Sequence, residues 1–449
     1  MRYFLVTTIL MSSLAFSQQV EKKPTIFDIK HVAKENILAD LDQFVNFIKE
    51  THPRIGYTAN NKRLDSVVKA LQNTIKDSMP INKVWDVFAT LNPFFNDAHV
   101  GIIGPNHLYE EYVLGGGSKL PFSVKINDGS IFIDAINLPE NTEYSNYKIV
   151  SINGVKSSTI LEELLPKMRG ESRSLQELIL SKRFPVFYIM YYGDFKEHTI
   201  ELADQHENKK RLTINAIDFK GFAANKNKES YYALEMLNDS TAYLKIASFD
   251  IENKDVFKMF LEDSFAKIHT QKISNLILDV GENGGGARDL SDLLLDYLTE
   301  NKYTATSKVE ARVTSENQSL IPNAKIGDVV TVPFPNWVTP NNEVTVFKGN
   351  VYALVSKQSY SQAIVFTTII QDFNLAKIIG EETAGKANQT GQVQNIQLNY
   401  TGFTVYCPIY IFSRAKVVDE SRGVIPDVEV TYTKALEKTL SLINCKQRP

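Results

Sequence analysis

A multidomain α/β protein is what this sequence predicts, and three observations predict it. Residues 33–95 carry apolar side chains at helical spacing. Residues 115–203 read as short strands and turns. Beyond 212, near-continuous apolar runs alternate with amphipathic segments, the texture of a parallel sheet with helices on its faces. The 449 residues are too many for one core and suggest two or three domains. The 49 basic and 52 acidic side chains nearly cancel to a net charge of -3, which argues against nucleic acid or an anionic membrane as main partner.

The amino terminus stands apart. Met1-Arg2 precedes "YFLVTTILMSSLAF", then Ser17-Gln18-Gln19 and the polar "VEKKPT". A basic start, a short apolar core and small residues predict a signal peptide over 1–17, cleaved after Ser17, and a periplasmic or extracellular mature protein. No later apolar run reaches the ~20 residues of a membrane helix. Cys407 and Cys445 allow at most one disulfide, and spacing does not decide whether it forms.

Taken in order, Ile37, Leu41, Phe44, Val45 and Ile48 mark a first helix, and Leu64, Val67, Val68 and Leu71 a second. Val84, Phe88 and Leu91 mark a shorter third, with Pro53 and Pro80 between segments. "LPFSVKINDGSIFIDAI" reads as a hairpin around Asp128-Gly129, and "YKIVSINGVKSSTILEELL" as strand, turn and helix. "FPVFYIMYYGDFKEHTIEL" reads as a strand-rich end to this unit, and the charged "DQHENKKR" as a linker or hairpin tip. Strands are then expected at "TAYLKIASF", "ISNLILDV", "NVYALVS" and "AKIIG", with helices between them.

Three motifs bear chemistry. "GEETAGKA" has the glycine and lysine spacing of a phosphate loop, but Ala387 replaces the required hydroxyl and strand-like sequence follows instead of a helix. The nucleotide reading fails on both counts. "LILDVGENGGG" runs a buried strand into glycines, where backbone N–H groups can converge on an anion or merely form a tight turn. In "SKQSYSQAIVFTTIIQD", Ser361 opens a helix after a buried strand, a place that suits a simple cap or a nucleophile. There is no HExxH and no Cys/His cluster, so neither metal nor cofactor is expected.

Together these pieces resemble the C-terminal processing, or tail-specific, serine peptidases, which use a Ser–Lys dyad. "SYSQAIVFTTIIQD", "IIGEETAGKA", "LILDVGENGGG" and the terminal "GVIPDVEV" follow in the family's order. Matching Gln371-Asp372 to the family's Gln-Asp implies Ser361 as nucleophile and Lys386 as base, 25 residues apart. The amides of Gly284, Gly285 and Gln362 would hold the oxyanion; His99, Asp97 and Gln389 are possible accessories. Serine needs its proton removed to attack. Burial that disfavours the charged amine can ready a lysine for that task. The chain departs from the family at Gly281 (usually Arg), Ile364 (often Glu) and Thr390 (often Gln).

The resemblance implies a helical N-terminal domain (24–110), a PDZ-like peptide-binding domain (115–203), an α/β catalytic domain (212–433) and a C-terminal tail (434–449). The implied function is that of an exported serine endopeptidase acting on proteins or peptides with exposed, free C-termini. Gly115-Gly116-Gly117 is a candidate loop for the peptide carboxylate. The alternative is a catalytically weak or inactive peptide- or hydrophobic-ligand-binding protein on the same scaffold.

Overall fold

The computed structural model describes residues 23–136, 143–218, 231–250, 254–333, 337–416 and 422–446. The segment 1–17, expected as a signal peptide, lies outside them. Among the described residues no helix is long and apolar enough to cross a membrane.

Helices Lys34–Thr51, Leu64–Gln72, Ile81–Ala89 and Leu91–Phe95 follow the apolar spacing of the first region. Next comes an antiparallel sheet ordered Lys209–Asn215, Glu197–Ala203, Lys148–Ile152, Ser130–Ile136, Phe122–Asn127. Asp128 and Gly129, both at positive φ, turn its first hairpin as the sequence predicts. The charged run is the tip of the 197–215 hairpin, not a linker.

One element beside this sheet differs from the sequence reading. All of "FPVFYIMYY" belongs to a helix, Arg173–Tyr192, which contains Pro185. Its aromatic and β-branched residues suggest strand by propensity, but burial of Leu180, Phe184, Phe187 and Tyr188 overrides that preference. Phe187 meets Trp85 of the Ile81–Ala89 helix with ring centroids 5.1 Å apart. The N-terminal helices and the antiparallel sheet thus share one hydrophobic cluster.

The second half is a mixed sheet in the order Tyr232–Asn238, Thr241–Ile246, Asn275–Asp279, Asn350–Val355, Lys377–Gly380, Val428–Glu429. Only its first pair is antiparallel. Helices Lys254–Thr270, Arg288–Asp296 and Gln362–Asp372 bury Leu261, Leu294 and Phe366 in a common cluster. The segment 434–449, expected as a tail, is instead mostly helix. Tyr432–Lys446 buries Ala435 and Ile443 in a separate cluster with Ile277, Tyr352 and Ile379. A third sheet joins the halves: Gly101–Ile102 pairs with Thr404–Arg414, which also pairs with Gln389–Gln397. Cys407, buried in that sheet, and exposed Cys445 are both free thiols.

Candidate active site

The central strand Asn275–Asp279 ends at the glycine turn, and its neighbour Asn350–Val355 ends just before Ser361. Parallel pairing brings both strand ends to one edge, so the two motifs meet. Tyr360 N donates to Asn283 O at 3.0 Å. Asn283 is locked in turn by Nδ2 donating to Ile246 O at 3.0 Å. Gly285, at φ +101, is packed so closely that a β-carbon would lie 2.8 Å from Ser361 Cβ and 2.9 Å from Gln362 N. Only glycine fits there.

Ser361 has φ 52 and ψ -118 and makes no side-chain cap bond. Such a backbone costs a non-glycine residue about 1–3 kcal/mol and persists where the surroundings enforce it, most often at functional sites. The helix Gln362–Asp372 starts at the next residue, so its first amide and the positive end of its dipole face the serine. Among the described residues the amides of Gly284 and Gln362 have no partner, whereas Gly285 N already donates to Asn283 Oδ1 at 2.8 Å. That corrects one oxyanion expectation: Gly285 contributes close packing and its amide is spent on the turn. A cleft of about 490 Å³ opens beside the turn, lined by Gly284, Gly285, Gly286, Ser248 and Lys182.

Lys386 sits in the loop after Lys377–Gly380, half-buried, with its Nζ 5.6 Å from the centre of the Tyr57 ring. Neither Ser361 Oγ nor Lys386 Nζ has a hydrogen-bond partner among the described residues. The neighbours of Lys386 are fixed more firmly. Gly385 lies on Tyr360 and Ile364, and Ile364, Ala387 and Val424 form a small buried cluster that Tyr360 packs against. Gln389 donates from Nε2 to Ser361 O at 3.1 Å.

His99 reaches the same place from the N-terminal region, because Gly101–Ile102 is stitched into the third sheet. Its ring stacks on Tyr360 at 5.3 Å. His99 Nδ1 lies 3.1 Å from Thr390 Oγ1 and 3.3 Å from the Tyr360 hydroxyl. Thr390 Oγ1 donates to Asp97 Oδ2 at 2.8 Å. Burial pushes the His99 pKa down, opposed in part by the Asp97 carboxylate, so the neutral ring is favoured.

Two of the departures from the family pattern acquire reasons. A β-carbon at Gly281 would stand 2.0 Å from the Tyr432 ring, whose hydroxyl donates to Asp279 at 2.9 Å. Tyr432 fills that space. Thr390, in place of glutamine, holds Asp97 and His99 instead.

The sequence reading missed Tyr360, Arg169 and Glu171. Arg169 donates from Nη1 to Ala98 O at 2.6 Å, and Glu171 accepts from Ala98 N at 3.1 Å and Lys386 N at 3.4 Å. The only signal for them was "RGES", charged residues around a glycine just before a helix. The Gly115–Gly117 expectation is overturned. Those three amides donate to Glu111, Val113 and Tyr112 carbonyls at the end of the Asn106–Leu114 helix and are not free for a carboxylate.

Residues 240–430 match Peptidase family S41. The fold agrees with mature CPAF (TM-score 0.66, 14% identity, 91% of this chain and 95% of that one). It also agrees with mature CPAF complexed with lactacystin (TM-score 0.65, 15% identity, 92% and 97%). The photosystem II D1 C-terminal processing protease is similar at a TM-score of 0.50 and 11% identity, covering 88% and 93%. At such identities these structures speak for the fold alone. No curated protein matches the sequence.

Proposed function

We propose that the chain is an exported serine endopeptidase in which Ser361 is the nucleophile and Lys386 the general base. One observation carries the nucleophile: Ser361 holds a rare positive-φ backbone at the head of a helix, pressed against the glycine turn. In the reaction Ser361 Oγ bonds to the scissile carbonyl carbon as its proton passes to the neutral amine of Lys386. The amides of Gly284 and Gln362 receive the oxyanion. Collapse breaks the C–N bond, the leaving amine takes that proton, and water then hydrolyses the acyl-enzyme by the same route. Lys386 must swing from Tyr57 towards Ser361 to take part.

The domain reading belongs to this proposal, helical 24–110, PDZ-like 115–203 and catalytic 212–433, with the PDZ-like unit extended to Asn215 because the strand Lys209–Asn215 completes its sheet. A groove of about 600 Å³ is lined by the edge strand Phe122–Asn127 and the helix Arg173–Tyr192 together with Glu282, Lys357, Glu381 and Tyr432, and a C-terminal tail would add there as a further strand. Ile126 N already donates to Ser181 Oγ there at 2.8 Å, so an entering peptide must displace that bond.

His99 as the base is a second reading. It is favoured by the neutral ring stacked on Tyr360 and oriented through Thr390 and Asp97. A fluorophosphonate probe tests the nucleophile under either reading. Labelling that disappears in Ser361→Ala supports the enzyme; an unlabelled wild-type protein favours a ligand-binding protein on the same scaffold.

A further inference from the structure

Both candidate bases hang from one carboxylate. Glu171 Oε2 accepts from the amide of Ala98, next to His99, at 3.1 Å. Glu171 Oε1 accepts from the amide of Lys386 itself at 3.4 Å. These segments are far apart in sequence, and Glu171 comes from a third place, the turn that leads into the Arg173–Tyr192 helix. Arg169, two residues earlier, holds the Ala98 carbonyl at 2.6 Å and lies 5.2 Å from the Tyr406 ring centre. The turn therefore grips Ala98 by both its N–H and its C=O. A carboxylate that accepts two converging backbone amides fixes the distance between the chains that supply them.

We propose that Glu171 is a positioning residue that holds the His99 and Lys386 segments in register with Ser361. It touches no reacting atom; it acts through the two backbone segments, and the inference rests on the reading of Ser361 as nucleophile. The chemistry requires the ionised form. A protonated carboxyl keeps one good acceptor, while its O–H faces the other amide, so one segment loses its tie. Burial, and then the nearby Asp97 carboxylate, raise the Glu171 pKa to about 7, while the amides of Ala98 and Lys386 oppose that rise. The other groups facing this corner are His99 from Asp97's own segment, Arg169, and the buried Tyr360 hydroxyl. Glu171 therefore loses its charge as the pH falls through about 7, and the register loosens with it. A limb set by His99 would lie lower, because burial keeps that ring below its ordinary value.

The test compares wild type with Glu171→Gln on one peptide substrate, with rates divided by the amount of Ser361 labelled by the fluorophosphonate probe. That normalisation removes unfolded protein from the comparison. Glu171→Gln should lower kcat per labelled site by about tenfold or more with KM little changed, and the acid limb near neutrality should vanish. A purely structural glutamate would lower the labelled fraction and leave kcat and the limb alone, which overturns the proposal. Hydrogen exchange on wild type keeps it testable if the variant does not fold. Protection of peptides spanning 97–99 and 385–388, corrected for the intrinsic effect of pH, should fall together below neutrality; independent behaviour also overturns it. A wild-type protein that never labels removes the nucleophile reading itself and this inference with it, a result distinct from both.

Discussion

The two halves of the candidate site, the serine half around Ser361 and the base half around the candidate bases Lys386 and His99, are built in opposite ways. Ser361, Gln362 and the glycine turn come from the ends of two neighbouring parallel strands, and backbone sterics hold them: the bent Ser361, the close approach of Gly285 and the bond from Tyr360 to Asn283. The base half gathers 97–99, 169–171 and 386–390 from distant parts of the chain, held by charged and polar side chains: Arg169, Glu171, Asp97 and Thr390. A half held by backbone geometry should be indifferent to pH. One held by ionisable groups should not be, and His99 and Glu171 are both on that side with shifted pKa values. Each prediction below breaks one half or the bond between them.

The largest effect is expected at the chemistry. Ser361→Ala should abolish probe labelling and cut peptide turnover by about 10⁴-fold or more. Lys386→Met, which keeps an apolar stem without the amine, should fall nearly as far and add little to Ser361→Ala in the double variant. Near-normal turnover by well-folded Lys386→Met, with a collapse in His99→Asn, would move the base to His99.

Next comes the tie between the halves. Asp372, at the far end of the serine helix, forms a buried ion pair with Arg414, accepting from its Nε at 3.1 Å. Arg414 N in turn donates to Asn388 Oδ1 at 2.8 Å, two residues from Lys386. Asp372→Ala strands a buried guanidinium and should destabilise the fold by about 3–5 kcal/mol, read as a shift in the urea midpoint. A loss below about 1 kcal/mol would mean the pair is solvated, as exposed pairs are.

Gly285→Ala acts within the serine half alone. Its β-carbon would press on Ser361 Cβ and Gln362 N at 2.8 and 2.9 Å. The expected cost is about 10²-fold in kcat, with the acid limb unchanged because no titrating group is touched. An altered limb would show that the halves are not separate.

The sequence discloses the two halves unequally, for the same physical reason. Strands buried on both faces read as unbroken apolar runs, so 241–298 and 350–380 are legible element by element, and Ser361 and the glycine turn with them, whereas the strands Thr306–Arg312 and Val329–Pro333 of the third sheet carry no such run and go unread. The Arg173–Tyr192 helix was not, because packing rather than propensity makes it helical, and Pro185 and its aromatics point elsewhere. Glu171 and Arg169 lie in the turn before it, where no periodicity marks a residue. His99 was visible as a motif, but its contact with Tyr360 depends on the pairing of Gly101–Ile102 with Val405 and Tyr406, a long-range register no local pattern states.

The smallest effect concerns the footing of the base half. His52 ends the Lys34–Thr51 helix, is 1% exposed, and accepts from Arg54 N through Nδ1 at 3.0 Å, while its carbonyl accepts from Arg312 Nη2 at 3.0 Å. Burial first, then Arg312 and Arg54, pull its pKa from 6.5 to about 4 against the contrary pull of Asp97. The folded ring thus stays neutral down to about pH 4, whereas the unfolded ring takes a proton near 6.5. Between those values the unfolded chain binds more protons, so stability falls as the pH falls, by up to about 1.4 kcal/mol per unit from this residue. His198, also lowered to about 4, adds a similar slope from the antiparallel sheet. His52→Asn places an amide oxygen near the position of Nδ1 and cannot titrate, so unfolding free energies measured across that window should lose His52's share of the slope and keep that of His198. An unchanged slope would mean that His52 is already charged in the folded protein, and that the base half stands on a solvated footing rather than a dry one.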